Sequence, residues 1–485
     1  MFGKRAIRSV KSNAGRTHGG SPHVHRIETP LMASRSRRLF YSALSVALSL
    51  TAVAALAFAG AAVADAQSHV TPPQRGQQGF PANRPSSSGE IVVAVVLGSS
   101  GTVGSDVLAP YEVFASSPEF SVYTIAAQAD PAPVDGGPAI VPTYTFEDVR
   151  SGRARKPDVV VVPAVGAPEG PEETAMREWI VEQSGSGARI LGVCNGSNVL
   201  AGTGILDGHK ATGHWSRLGY LKKSHPQVHW SEGLRYVQDG MITTTAGVTS
   251  GIPGALKVME DLAGADEAER VGRLMNYPGW SLTASESIPV QSFALSDIPV
   301  GLNALVPWFR PTIAVGLFNG VGEADVASAF EVYNMSFAAR AVPIAATETV
   351  TTKHGMVLLT IPETRAPQVD RVIAPGAARG EDINRQLRDW AASRNVPADA
   401  FAGADGVLGF DGALEYLAQH TDRATALSAA KMIDYPTTHL NLPAGGTSVR
   451  VPVLIVLGLL LAILIGALPA VARSAVRRRA EGQMK

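Results

Sequence analysis

The residue best suited to chemistry is Cys194, the single cysteine of a 485-residue chain. It lies within Gly192–Gly196 (Gly-Val-Cys-Asn-Gly), after the apolar run Ile190–Val193 and before a helix pattern at Ser197–Ala201. This is the form of a nucleophile elbow, a sharp strand-to-helix turn that needs glycines around the nucleophile. The helix dipole and free backbone N–H groups favour thiolate at such a position. We therefore predict a functional thiol, with a buried small apolar side chain as the alternative.

The elements that must position this turn alternate between strand and helix. Continuous apolar runs at Ile91–Leu97, Phe120–Ala126 and Val159–Val162 are typical of parallel strands that are buried on both faces. Helix patterns lie between them, for example at Pro171–Gln183. The alternation predicts an α/β fold with a flavodoxin-like, doubly wound parallel sheet. The elbow would then lie at the carboxyl edge of the sheet, where such folds bind ligands.

The same pattern occurs a second time, which predicts a tandem duplication. Matched blocks follow one another in one order: Ala94–Leu97 with Ala314–Leu317, Asp106 and Tyr111–Phe114 with Asp325 and Phe330–Tyr333, Asp158–Pro163 with Asp370–Pro375, Trp179 with Trp390, Gly254–Leu256 with Gly412–Leu414, and Tyr277-Pro278 with Tyr435-Pro436. The offset between the copies is 212 at Pro163 and 211 at the tryptophans, but 158 at Gly254 and at Pro278, so the second copy lacks 53 residues after its tryptophan. We predict a complete domain over residues 90–285 and a degenerate copy over 286–445, which lacks the interval that holds Cys194 and His214.

The beginning of the chain predicts a targeting segment. Leu39–Ala64 is apolar and uncharged, follows three arginines and ends in a small-x-small site before Gln67. We interpret residues 1–66 as a basic leader with a signal peptide cleaved near Ala66, or else as an uncleaved N-terminal anchor. The true start is Met1 or Met32. Residues 67–89 are rich in Pro, Gly, Ser and Gln and are predicted to form a flexible linker.

The end of the chain predicts a membrane helix. Val451–Ala472 is uncharged and long enough to span a bilayer, and four arginines follow it within residues 473–485. Positive charge stays on the inner side, so this tail should be cytoplasmic. We therefore expect a single-pass protein of the cell membrane whose globular domains lie outside the cytoplasm.

Composition and motifs exclude several classes of function. The formal net charge is zero, which gives no electrostatic case for nucleic acid. We expect no cofactor, since no P-loop and no dinucleotide-binding glycine motif stands between a strand and a helix. We also expect no metal site: His225 and His229 are four positions apart, but Pro226 argues against a helix and no third ligand is evident.

Around Cys194 the chain resembles the ThiJ/PfpI family of the class I glutamine-amidotransferase-like superfamily. Its isonitrile hydratase branch and the sensor domains of AraC-type regulators are the most similar. The resemblance covers about 90–282 well and about 312–440 as a degraded copy. The residues that carry it are Gly192–Ser197, Leu200-Ala201, Gly204–Gly208, Ala211-Thr212, His214-Trp215, Ala109–Phe114 and Gly247–Ile252.

The resemblance implies a role for each matching residue. Cys194 would be the nucleophile and Asp106 the catalytic acid/base of isonitrile hydratase. Glu112 matches an acidic residue beside the cysteine in much of the family, where a carboxylic acid can donate a hydrogen bond to thiolate. His214 matches a family histidine, as a base or a substrate contact. Asp106 and Glu112 have plainer explanations as surface charges or helix caps, because the second copy keeps both residue types. His214 could equally be a satisfied polar residue near the end of a strand.

Backbone N–H groups near Asn195 and at Val165-Gly166 could form an oxyanion hole. Two of these positions depart from the family pattern. Asn195 replaces a threonine of isonitrile hydratases, and Val165 lies in a loop where the family usually has two glycines. These departures leave the substrate, and the activity itself, open.

Three functions are compatible with these observations. The first is a cysteine-dependent enzyme acting on a small molecule outside the cytoplasm, such as an isonitrile hydratase-like lyase or an amidohydrolase. The second is a non-catalytic ligand sensor; no helix-turn-helix domain follows, so DNA is not an expected partner. The third is a redox sensor that works through oxidation of Cys194. The two domains are expected to pair within the chain, and a homodimer is a further possibility.

Overall fold

Alternating strands and helices make up most of the chain. The structure, a computed structural model, describes residues 31–68, 80–81, 83–377, 379–401, 408–443 and 450–482. Its α-helices are α1 (Leu31–Ser68), α2 (Gly104–Ala115), α3 (Phe146–Arg150), α4 (Thr174–Gly185), α5 (Gly196–Thr203), α6 (Trp215–Ser224), α7 (Gly251–Ala263), α8 (Ala265–Met275), α9 (Ile298–Leu305), α10 (Glu323–Ser336), α11 (Arg385–Ser393), α12 (Gly409–His420), α13 (Arg423–Met432) and α14 (Arg450–Gly482).

The strands are short, and those predicted from apolar runs are found close to the predicted residues. They are β1 (Ile91–Val96), β2 (Thr102–Val103), β3 (Phe120–Ala126), β4 (Val134–Asp135), β5 (Ile140–Val141), β6 (Tyr144–Thr145), β7 (Val159–Val162), β8 (Arg189–Gly192), β9 (Lys210–Ala211), β10 (His229–Trp230), β11 (Tyr236–Asp239), β12 (Ile242–Thr245), β13 (Thr312–Gly316), β14 (Arg340–Ala345), β15 (Thr349–Thr351), β16 (Val357–Leu359), β17 (Ile361–Pro362), β18 (Arg371–Pro375) and β19 (Ala398–Phe401).

The first sheet has seven strands in the order β11-β12-β8-β7-β1-β3-β6. All neighbours are parallel except β11 and β12. The central strands β1, β3 and β7 are buried almost throughout, as expected where helices cover both faces of a parallel sheet. The prediction of a flavodoxin-like α/β fold is confirmed for this part of the chain, which we call the first domain.

A second sheet has five parallel strands in the order β17-β14-β13-β18-β19. This is the order of β6-β3-β1-β7-β8 in the first sheet. The two further strands of the first sheet, β11 and β12, come from the interval between β8 and α7. In the second domain, as we call this part, the described chain passes from β19 to α12 with only residues 402–407 outside the description.

The two domains pack against each other through one hydrophobic core. Buried side chains of α2 and α7 and of α10 and α12 belong to the same cluster. Strand β16 of the second domain also pairs antiparallel with β5 of the first, with Val357 opposite Val141 and Leu358 opposite Ile140. Because apolar area and backbone hydrogen bonds are shared in this way, the contact between the domains is part of the folded core.

Two helices are long and apolar enough to cross a membrane, Phe40–Ala64 in α1 and Val456–Ala475 in α14. Few of their residues are buried inside the protein. The described residues up to Ala52 and from Leu460 onward form a unit of their own, and Val53–Leu459 form the other. The predicted cleavage site between Ala66 and Gln67 falls within α1, whereas most of the predicted linker 67–89 lies outside the described residues.

Candidate functional site

The predicted elbow forms where β8 passes into α5. Cys194 has φ of 56°, in the left-handed region that a residue with a side chain rarely adopts. Its backbone N–H donates to Thr245 Oγ1 at 3.1 Å, and its carbonyl accepts from Ser197 Oγ at 3.0 Å. A side chain at Gly196 would place its Cβ 2.1 Å from the Val162 carbonyl oxygen, so the close approach requires glycine. Strain that the surroundings hold in place is typical of a functional turn.

Asp106 lies near the thiol, in the first turn of α2. Its side chain is completely buried, and Oδ2 accepts a hydrogen bond from the Ala164 backbone N–H at 2.9 Å. Oδ1 is buried without a hydrogen-bond partner. Burial raises the pKa of Asp106 well above its usual range, and the nearby Glu331 carboxylate raises it further. A buried carboxyl group that keeps its proton can act as a hydrogen-bond donor and a general acid.

Cys194 is buried, with 5% of the residue exposed. Burial is the largest effect on its pKa and raises it, and the carboxylates of Asp106, Glu331 and Asp434 act in the same direction. A backbone hydrogen bond from Asn195 opposes them. The expectation of a preformed thiolate at the helix N-terminus is therefore opposed by burial and by three acidic neighbours. The structure favours a thiol that loses its proton as it reacts.

Glu112 contacts the second domain. Its Oε2 accepts a hydrogen bond at 2.6 Å from the backbone N–H of Ala324, in the first turn of α10 in the second domain. It is not among the groups that act most strongly on the thiol of Cys194. The carboxylate caps the helix of the neighbouring domain, which is the plainer of the two explanations that the sequence allowed.

Glu331 makes the reciprocal contact. It lies on α10, and its Oε2 accepts a hydrogen bond at 2.6 Å from Ser105 Oγ, in the first turn of α2. The Ser105 backbone also donates to it. Each glutamate therefore accepts a hydrogen bond at the N-terminus of the other domain's helix. Glu112 of α2 accepts from α10, and Glu331 of α10 accepts from α2. The repeat matched these two residues, but it gave no sign that each would cross to the other domain.

His214 is held by both ring nitrogens. Nε2 lies 2.8 Å from the Met432 carbonyl oxygen, and Nδ1 lies 2.7 Å from Ser216 Oγ. Since a carbonyl only accepts, Nε2 carries the proton, and burial lowers the pKa of the ring so that it stays neutral. With both nitrogens engaged, His214 ties the first domain to the end of α13, and neither nitrogen is free to take a proton from the thiol.

The predicted oxyanion hole is only partly available. The Gly166 N–H donates to the Gly101 carbonyl at 3.0 Å, and Val165 is buried and bridged to Thr102. The backbone N–H of Asn195 points at the sulfur of Cys194 itself. Its side-chain Oδ1 is buried without a hydrogen-bond partner. Of the three predicted residues, Asn195 is thus the one that the structure brings to the thiol.

Residues 92–261, which contain this site, match the DJ-1/PfpI family. The isonitrile hydratase of Pseudomonas putida is 33% identical over 180 residues, which is 36% of this chain and 72% of that protein. The chain belongs to the DJ-1/PfpI family. The transcriptional regulator CdhR of Pseudomonas aeruginosa, described as of HTH type, is 28% identical over 149 residues, which is 31% of this chain and 43% of the regulator. The chain thus spans less than half of CdhR.

Solved structures of the DJ-1/PfpI family align with part of the chain. A ThiJ/PfpI family protein from Pseudomonas syringae has 26% identity and a TM-score of 0.36, over 44% of this chain and 89% of its own. Drosophila melanogaster DJ-1beta has 22% identity and a TM-score of 0.33, over 38% of this chain and 96% of its own.

The second domain also lines the surroundings of the DJ-1/PfpI site. At the end of α13, Asp434 accepts a hydrogen bond from Ser250 Oγ at 2.7 Å, and its backbone carbonyl accepts from Thr249 Oγ1 at 3.0 Å. Asp434 also lines a small cavity beside His214, together with Thr212, Gly213, Trp215 and residues 288–291. The sequence gave no sign of this residue, because its role depends on how the domains pack.

One cluster at the contact between the two domains has the residue types of a cation site. Ligand atoms of Glu112, Glu323 and His354 lie within 4.8 Å of one another. They are already paired: Glu323 Oε2 lies 2.8 Å from His354 Nδ1, and Glu112 accepts from Ala324. Lys353 Nζ lies 3.9 Å from Glu112 Oε1 and supplies positive charge there. The hydrogen bonds account for these three residues as a contact between the domains.

Proposed function

We propose that this DJ-1/PfpI protein is a membrane-anchored, extracytoplasmic enzyme of the hydratase, lyase or amidohydrolase type, with Cys194 as the nucleophile and a small molecule as its substrate. The observation that carries the proposal is the pairing of two features. Cys194 is held in a left-handed turn at the start of a helix, and a completely buried carboxyl group, Asp106, lies near it with one oxygen unpaired. A nucleophile next to a protonated acid is an arrangement suited to addition chemistry.

Hydration of an isonitrile illustrates the proposed steps. The sulfur of Cys194 bonds to the terminal carbon, and a proton is delivered to that carbon, so that a thioimidate forms. Water then adds across the C=N bond, so that oxygen bonds to the carbon and one proton goes to the nitrogen; the C–S bond breaks as the C=O bond forms, and the second proton goes to the sulfur. The product is the N-substituted formamide, which equals the isonitrile plus one water. Asp106 is proposed to give and take back the proton in these steps.

The deciding experiment is turnover by the full-length protein in detergent or nanodiscs. A panel of small isonitriles, nitriles and amides is offered, and products are followed by mass spectrometry. We expect formamide or carboxylate formation with at least one member of the panel, and none from Cys194→Ala. Equal turnover by wild type and Cys194→Ala would overturn the proposal.

A ligand-sensing function has its own support. Met432 and Asp434 of the second domain contact His214 and Ser250 of the first, so a molecule bound near Cys194 would press on the end of α13. The similarity to an HTH-type regulator fits such a role. Here the same panel would give binding by calorimetry but no product, with affinity unchanged in Cys194→Ala. Slow oxidation of Cys194 by mild peroxide would count against the third alternative, a redox sensor.

The membrane topology is part of the proposal. Arginines precede the first apolar helix and follow the second, which favours residues from about 67 to 450 lying outside. Protease added to intact cells should cut within residues 67–89. Protection of this segment until the cells are opened would refute the extracytoplasmic placement. The size of the membrane-bound form then distinguishes a cleaved signal peptide from an anchor.

We also propose that the two domains are a tandem duplication whose second copy acts as a built-in partner of the first. The identical strand order and the exchanged carboxylates Glu112 and Glu331 support this. Reciprocal contacts of this kind are typical of a twofold-symmetric dimer. We expect the full chain to pair internally and to run as a monomer in analytical ultracentrifugation. A homodimer is the alternative, and a dimer that exchanges these helices between chains would contradict internal pairing.

A further inference from the structure

The surroundings of Cys194 contain an acid that belongs to the second domain. Glu331 is 2% exposed, and its Oε2 is fixed by the hydroxyl and backbone N–H of Ser105. Its other oxygen, Oε1, is buried without a hydrogen-bond partner, as is Oδ1 of Asp106. Ser105, to which Glu331 is hydrogen-bonded, is the residue immediately before Asp106, the proposed acid.

Acidic groups predominate around this cluster, although Arg235 acts on Asp434 and opposes the rise in its pKa. The groups that act most strongly on the thiol are Asp106 of α2, Glu331 of α10 and Asp434 after α13. Asp135 of β4 faces Glu331 as well. Burial raises the pKa of Glu331 to about 7, despite the hydrogen bonds from Ser105 that lower it. Among the described residues, no lysine or arginine is one of the groups that act most strongly on the thiol or on Glu331, so the carboxyl groups of Asp106 and Glu331 and the thiol are expected to retain at least one proton at neutral pH.

We propose that Glu331 is a positioning residue of the cysteine site: through its hydrogen bonds with Ser105 it fixes the first turn of α2, and so holds Asp106 in place to give a proton to a molecule bound at Cys194. This inference rests on the proposed cysteine chemistry and adds that the site is incomplete without the second domain. Its physical basis is the direct contact with Ser105 and the shared burial of the carboxyl groups. Two negative charges near each other in a medium of low polarity are costly, so each carboxyl group disfavours ionisation of the other.

The chain offers a matched control. Glu112 of the first domain makes the equivalent contact with the second domain, since it accepts a hydrogen bond from the backbone N–H of Ala324 in α10. However, Glu112 is not among the groups that act most strongly on the pKa of Cys194. A role that is only structural predicts the same result for Glu112→Gln and Glu331→Gln. A role in the cysteine site predicts an effect of Glu331→Gln alone.

The test is the pH profile of Cys194 alkylation by iodoacetamide, measured by mass spectrometry on the full-length protein in detergent. Replacing Glu331 by Gln removes a negative charge from the cluster, so the midpoint should move to lower pH by about one unit. Glu112→Gln should leave the midpoint unchanged. Equal profiles for the wild type and Glu331→Gln, or equal shifts in both variants, would overturn the inference.

Two further features keep the test decisive. If Glu331→Gln does not fold, Glu331→Leu removes the same charge with a side chain of similar size, and the same outcomes apply. Alkylation needs no turnover, so the inference and the proposed function fail separately. A shifted profile in a protein without activity would leave the inference standing, whereas an active protein with unshifted profiles would leave only the function.

Discussion

Asp106 and Asp325 occupy matching positions in the two domains, and the difference between their surroundings shows what the cysteine segment does. Both carboxyl groups are buried, and burial raises the pKa of each, that of Asp325 to about 6. In the first domain, α7 begins against Val193 of the elbow. In the second domain, α12 begins against Asp325 itself: a Cβ at Gly409 would lie 2.8 Å from Asp325 Oδ1. Without the elbow, the following helix closes over the carboxylate.

The comparison teaches that a buried carboxylate with a raised pKa does not by itself indicate catalysis. The two domains share the acid, but only the first places it near a thiol, because only the first carries Cys194 between its strand β8 and the next long helix, α7.

Removing the sulfur nucleophile should have the largest effect. Cys194→Ser keeps the shape of the turn but replaces the thiol with a much weaker nucleophile, so turnover should fall by at least about 1,000-fold. Initial rates on whichever substrate the panel yields, together with circular dichroism to show an unchanged fold, make the measurement. Retention of a tenth or more of the wild-type rate would mean that the chemistry lies elsewhere.

The pH dependence of stability should show whether Glu331 keeps a proton in the folded protein. Its pKa is raised from 4.5 to about 7 in the folded protein, so the folded state holds a proton that the unfolded state has released between these values. The contribution of Glu331 to the free energy of unfolding should therefore fall as the pH rises from about 4.5 to about 7, by on the order of 3 kcal/mol, and stay level above.

Denaturant unfolding at several pH values measures this effect. In Glu331→Gln the contribution of this group disappears, so the variant should gain stability relative to the wild type as the pH rises from 5 to 8. If the difference in stability between the two proteins is the same at all pH values, Glu331 does not hold a proton in the folded state.

Replacing the acid tests the comparison of the domains directly. Asp106→Asn keeps the buried shape but cannot transfer a proton, so turnover should fall by about 100-fold. Asp325→Asn is the matched control in the second domain and should leave turnover near the wild-type value. Comparable losses in both variants would show that the carboxylates act through stability and not through chemistry.

The turn itself can be tested with two glycines of one helix. Gly196→Ala places a Cβ 2.1 Å from the Val162 carbonyl oxygen, so it should destabilise the protein by about 2 kcal/mol. Gly202→Ala, on the same helix, meets nothing closer than 3.9 Å and should be neutral or stabilise by up to about 1 kcal/mol. Thermal melting of both variants measures the difference, and similar melting temperatures would show that the elbow relaxes easily.

Much of the fold could be predicted from the sequence. The apolar runs gave β3 and β7 at their observed residues, because a strand buried on both faces has an uninterrupted apolar pattern. The elbow at Cys194 could be predicted because a sharp turn next to a crowded strand admits few residue types. The matched blocks of the repeat likewise indicated the second sheet, since each block is a local pattern.

The surroundings of the thiol could be predicted only in part. The proximity of Asp106 was implied by a family resemblance, but the places of Glu112 and His214 were not. Glu112 and His214 both contact the second domain. A local sequence pattern does not predict which surfaces of two domains will pack against each other. The raised pKa of Cys194 has the same origin, because it depends on burial and on acids that come from distant parts of the chain.

Because Glu331 and Ser105 belong to one chain, the contact between them does not depend on the protein concentration. Two separate subunits that complete each other's sites come apart as their concentration falls, and the sites are lost with them. Here both groups lie on one chain, so each meets its partner at an effective concentration of about a millimolar or more, however few molecules are present. A protein with this arrangement would keep its site intact even as a lone copy.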